Sequence, residues 1–188
     1  MKIVGLVGTT IGWSTRTAMN NIKTILERKY EGKEVDILDL ADYNVEFSDG
    51  RNYLDYTGDT GKVVRTIMGA DVVIIATPVF QASIPGTLKN IFDLLPMDAF
   101  ADKTVGIMAV AGSPKHYLVV EQQLKPILSF MKAQMVTSYV FAESKDIVKG
   151  EIMKQDVLFR IDHLVDNIIH THEAFSHVKL LQDQMYDF

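Results

Sequence analysis

The chain has 188 residues, 47% of them hydrophobic and 23% charged, with a formal net charge of -5. That length and balance suit a single globular domain with a sizeable core, and the mild negative charge without any basic block argues against nucleic acid as a main partner. With no cysteine at all, disulfides, thiolate catalysis, iron–sulfur clusters and Cys-ligated zinc are excluded, so redox chemistry would need a bound cofactor.

The opening MKIVGLVG runs straight into an apolar strand, with neither the length nor the cleavage site of a signal peptide, so a cytoplasmic location is expected. Strand-like runs occupy residues 2–8, 34–40, 71–77, 104–110 and 134–141. The first, third and fourth are almost continuously apolar, as strands covered on both faces are. Helical patterns alternate with them. Ala18, Ile22, Ile25 and Leu26 share one face; a weaker pattern runs over 60–68. Ile84, Leu88, Ile91, Phe92 and Leu95 form a third, and Val120, Leu124, Ile127, Leu128 and Met131 a fourth, which Pro126 is expected to bend. A last helix carries Val157, Ile161, Leu164, Val165, Ile168 and Phe175. This alternation predicts right-handed βαβ crossovers and a parallel sheet. Residues 43–57 read as a long surface loop. Residues 1–188 read as one domain, with 177–188 a possible tail that crosses to a partner or frays. The longest apolar runs are strand-length, so no membrane span is expected.

Three loops follow apolar strands and are rich in small or hydroxyl residues. The first, after Gly8, matches neither the dinucleotide fingerprint nor the P-loop. Its Thr9, Ser14, Thr15 and Thr17 precede or open a helix, whose free amides and positive end suit a phosphate monoester, and Arg16 is placed to pair with the charge. Ser14 alone fits a helix N-cap equally well. The second loop, Pro78, Val79, Phe80, Gln81, Ala82 and Ser83, offers backbone groups to the edge of a planar heterocycle and an aromatic ring to its face. Phe80 alone fits a core residue as well. The third carries Gly112 and Ser113, also a common turn sequence. For strand order 2-1-3-4-5 the first two loops flank the point where the order reverses, where open α/β sheets bind ligands.

Together these loops resemble the NAD(P)H-dependent FMN reductase family. The segment TPVFQASIPGTLKNIFDLLP, residues 77–96, carries the family's Thr/Ser-Pro-x-Tyr/Phe loop and the Gly-x-Leu-Lys-Asn-x-x-Asp-x-Leu helix as Thr77, Pro78, Phe80, Gly86, Leu88, Lys89, Asn90, Asp93 and Leu95. Gly8, Thr9, Ile11 and Ser14 resemble its first loop, with Ile11 where members often carry Arg, and residues 120–134 resemble a helix of the alkanesulfonate-linked members. The resemblance implies a flavodoxin-like three-layer α/β sandwich with a five-stranded parallel sheet. It also implies FMN as cofactor, with NADPH or NADH as co-substrate passing hydride to the flavin, and a homodimer or homotetramer. The reduced flavin would serve a flavin-dependent monooxygenase or, while bound, a quinone or azo compound. A flavodoxin-like electron carrier without nicotinamide activity and a non-redox phosphate-ligand binding protein are the other classes the same loops allow. No catalytic side chain is required, since the cofactor carries the chemistry.

The remaining signals are weak. His163, His170, His172 and His177 lack zinc-helix spacing. Ser113 and His116 lack the nucleophile elbow. Lys89 and Asp93 read as a structural i, i+4 pair, and Asp36 and Asp39 have no glycine fingerprint beside them to make a ribose site.

Overall fold

The computed structural model describes residues 1–186. Parallel strands β1 (Ile3–Val7), β2 (Val35–Asp39), β3 (Val72–Pro78) and β4 (Thr104–Ala111) lie in the order β2-β1-β3-β4. Helices α1 (Ser14–Lys29) and α5 (Gln155–Tyr186) cover one face; α2 (Gly58–Met68), α3 (Gly86–Leu94) and α4 (Lys125–Phe130) cover the other. Every residue of β1, β3 and β4 is buried, which is why their sequence is continuously apolar rather than alternating. Two apolar clusters, one under each helical layer, make the core, and Phe92 meets the buried Phe100 edge to face at 6.1 Å.

The fifth strand position departs from the sequence reading. Residues 134–141 do not form one strand: β5 (Gln134–Met135) and β6 (Val140–Glu143) both pair with β4. Between Val105 and Met108 β4 advances three residues, while its partner advances five from Met135 to Val140, so two residues are looped out. Lys125 Nζ on the Thr137 carbonyl (3.0 Å) and Tyr139 Oη on the Tyr117 carbonyl (2.6 Å) fix the bulge. A hairpin of β7 (Ile147–Val148) and β8 (Glu151–Ile152) follows, which periodicity does not anticipate.

Pro126 acts where expected. It has no N–H, and its ring crowds the carbonyl four residues earlier; the chain responds with a π-helical turn, Val120–Leu124, immediately before α4. Lys89 and Asp93 form their i, i+4 ion pair at 2.6 Å. The last helix outruns its pattern, continuing beyond Phe175 to Tyr186, and among its described residues burial ends at Ile169. At 1.5 Å per residue its 32 residues reach about 48 Å. Lys179 pairs with Asp102. Of the expected tail, 187–188 lie outside the described residues.

Tyr30, which closes α1, donates its hydroxyl to Asp166 Oδ1 at 2.7 Å. Burial first, and then Asp166, push the phenol up to about 12. A folded-state pKa above the unfolded value means that the stabilisation is complete below about 10 and is lost as pH rises from there toward 12. Urea unfolding midpoints should therefore show wild type losing its advantage over Tyr30→Phe across that window, and a constant gap would contradict it.

Candidate functional site at the carboxyl ends of the strands

The loop after β1 is built around its own backbone. Gly8 N continues the sheet to the Ala76 carbonyl (2.8 Å). Thr9 is buried, and its hydroxyl accepts from Ile11 N (3.2 Å) and donates to the Ile11 carbonyl (3.0 Å), so it shapes the turn. Trp13, not Ser14, occupies the N-cap position and supplies no side-chain cap. The first backbone bond of α1 is Thr17 N to the Trp13 carbonyl (2.9 Å); the amides of Ser14, Thr15 and Arg16 precede it and have no acceptor among the described residues.

The loop after β3 contains a tight turn. Phe80 and Ser83 exchange two backbone hydrogen bonds of 3.0 Å each, and both central residues are left-handed, Gln81 at φ 48° and Ala82 at φ 58°. This is type I′ geometry, which favours glycine. A left-handed alanine costs about 1–2 kcal/mol, partly offset by the larger unfolded-state entropy of glycine. Ala82→Gly is expected to raise stability by about 0.5–1 kcal/mol, or roughly 1–4 °C in Tm; a lower Tm would refute the strain.

A cleft of about 240 Å³ opens between these loops. Ile11, Gly12, Ser14 and Thr15 line it on one side, Pro78, Val79 and Phe80 on another, and Val110, Ala111 and Gly112 on the third. Ser144, just after β6, completes it. Ser144 escapes the sequence reading because a strand over 134–141 stops short of the true end at Glu143. Of the other expected site residues, Thr9 and Thr17 are buried. Gln81, Ala82 and Ser83 form the turn beside the cleft rather than its wall, with Ser83 Oγ 3.4 Å from Gln123 Oε1. Ser113 turns its hydroxyl to Lys115 N (3.3 Å).

Arg16 is the clearest departure. Its Nε is bonded to Asp39 and its Nη2 to Asp42 Oδ2 at 2.7 Å, so the guanidinium faces the end of β2 and not the cleft. The bond to Asp39, followed by that to Asp42, holds its pKa above the ordinary value. No residue lining the cleft carries a charge. His172 sits half-buried on α5, away from the cleft, with burial lowering its pKa.

The residues present fit a flavin mononucleotide. Three unpaired amides and the hydroxyls of Ser14 and Thr15 make an anion seat at the N-terminus of α1. Phe80 and Val79 provide an apolar wall for a flat ring. At Gly112 a Cβ would meet nothing within 4 Å, so that side is open for a ring to approach. A larger cavity, about 510 Å³ between α3 and α4, is lined by Phe92, Leu95, Met97, Ile127 and Phe130 among others. It lies away from the strand ends and lacks a comparable anion seat. Among the described residues no cluster of three or more His, Asp or Glu side chains is arranged to hold a metal ion, and no helix is long and apolar enough to cross a membrane.

Comparison with known proteins identifies the family and the fold. Residues 1–147 match the family described as NADPH-dependent FMN reductase. A relative from Geobacillus thermodenitrificans, named an NAD(P)H-dependent FAD/FMN reductase, is 42% identical over 175 residues, 92% of this chain and 94% of its own. Among solved structures, the apo form of the NADH:FMN oxidoreductase EMOB superposes with a TM-score of 0.73 at 23% identity, over 92% of this chain and 89% of that one. A flavodoxin from Bacillus cereus superposes with a TM-score of 0.64 at 14% identity, over 90% and 98%. The fold is flavodoxin-like, and the chain belongs to the NADPH-dependent FMN reductase family.

Proposed function

We propose that the chain reduces FMN with NADH or NADPH in the cleft between the β1, β3 and β4 loops and passes the reduced flavin on. Its family and its relatives make it an NAD(P)H-dependent flavin oxidoreductase. The observation that carries the location is the uncharged cleft at the strand ends, closed at one end by the three unpaired amides of α1.

FMN, when bound, supplies the hydride-accepting ring and so the redox chemistry itself. The chain's own residues do the rest. Ser14 and Thr15 hold the phosphate end and fix the ligand's register. Pro78, Val79 and Phe80 lie along the ring and exclude water from one side. The opening at Gly112 leaves the other side to the nicotinamide. No titratable group lines the cleft, so no side-chain acid or base is assigned. The location is read as cytoplasmic and the assembly as a homodimer or homotetramer; the apolar groove between α3 and α4 supports an assembly of copies. A flavin-dependent monooxygenase is the reading for the consumer of reduced FMN.

The test is anaerobic oxidation of NADH and NADPH by the purified chain, with free FMN, a quinone and an azo compound as parallel acceptors. FMN-dependent oxidation is expected. A protein that binds FMN but does not bleach it with either nicotinamide would be an electron carrier, and one that binds no flavin would sink the reading.

A further inference from the structure

A guanidinium sits one residue beyond the cleft wall and is held away from it. Arg16 follows Ser14 and Thr15 in the first turn of α1. Its Nε is engaged by Asp39 and its Nη2 by Asp42. Asp39 is 3% exposed, and its second oxygen accepts from Ala41 N at 2.9 Å. A buried carboxylate at the end of a strand needs a cation, and Arg16 is that cation. The three groups together carry a net negative charge, and Arg16 belongs to the same first turn of α1 as Ser14 and Thr15 of the anion seat.

We propose that Asp39 and Asp42 form a clamp that withholds Arg16 from the ligand's phosphate and thereby sets how strongly the site prefers FMN over its unphosphorylated form, riboflavin. This rests on the reading of the cleft as a flavin site. The phosphate meets only neutral donors, and its negative charge is opposed by the cluster beside it. Asp39 is the buried anchor. Asp42, with 61% of its side chain exposed, is the adjustable member and acts through Arg16 as a positioning residue. Losing its carboxylate removes one like charge and releases Nη2, both of which favour a phosphate and neither of which concerns the isoalloxazine ring.

Flavin fluorescence titrations test this without any turnover. Asp42→Asn is expected to tighten FMN by about three- to tenfold, while riboflavin stays within about twofold of wild type. Asp42→Glu, which keeps the charge and the hydrogen-bonding group, should restore the wild-type ratio. In wild type, raising the salt to about 0.5 M should leave FMN binding unchanged or tighter, because screening relieves the repulsion. An unchanged FMN-to-riboflavin ratio in Asp42→Asn would overturn the clamp, as would FMN affinity in wild type that falls steeply with salt. Either result, with both flavins still bound, leaves the flavin site itself standing. If wild type binds neither flavin, the site reading and the clamp fail together.

Discussion

Gly61→Ala should lower stability by about 2–3 kcal/mol, roughly 4–12 °C in Tm for a chain of this size. A Cβ at this position would stand 2.2 Å from the Tyr56 carbonyl oxygen and 2.7 Å from Arg65 Nη2. The arginine has room to swing. The carbonyl does not, because Tyr56 is fixed from several sides. Its side chain is fully buried, its hydroxyl donates to Asp49 at 2.9 Å, and Arg51 lies over its ring at 4.4 Å. Arg65 Nη1 also donates to that same carbonyl at 3.1 Å. The methyl therefore has to displace the start of α2 from the segment that leads into it. Gly86→Ala is the control: a Cβ there meets nothing within 4 Å, and alanine is the better helix former. Thermal melts of both variants decide the matter, and a Gly61→Ala Tm within about 1 °C of wild type would show that the segment yields freely.

Gly12→Val should weaken FMN binding by about 10- to 100-fold while moving Tm by no more than about 3 °C. Gly12 has φ 84° and an exposed, open surround. A β-branched residue is a genuine outlier at positive φ. Strain of about 1–3 kcal/mol is relieved by rearranging an exposed loop rather than the core. Rearrangement moves the Ser14 and Thr15 amides from the positions that make the anion seat, so the loss falls on binding. Gly12→Asn, which tolerates the left-handed region, should recover most of the affinity. Fluorescence titration with FMN measures both variants; equal, unaltered affinities would remove the first loop from the site.

Much of the architecture is legible in the amino-acid sequence. The continuous apolar runs of β1, β3 and β4 announce a sheet covered on both faces, and the helical spacing between them announces the crossovers. Pro126 marks the irregular fourth helix. Local pairing is not legible in the same way. Nothing in the run from Gln134 to Phe141 shows that two residues loop out, because that depends on the register against β4 and on donors from Lys125 and Tyr139. Ser144 reaches the cleft only because β6 resumes after that bulge.

The sequence by itself determined the alternation of strands and helices and the loops at the carboxyl ends of the strands, because periodicity and turn residues are local properties of the chain. Only the tertiary structure decided the charge of the site. Arg16 stands in a loop whose composition invites it to a phosphate, and the fold brings Asp39 and Asp42 to it from 23 and 26 residues away. A buried carboxylate outcompetes an unbound ligand for the nearest cation, and that competition exists only once β2 lies beside β1.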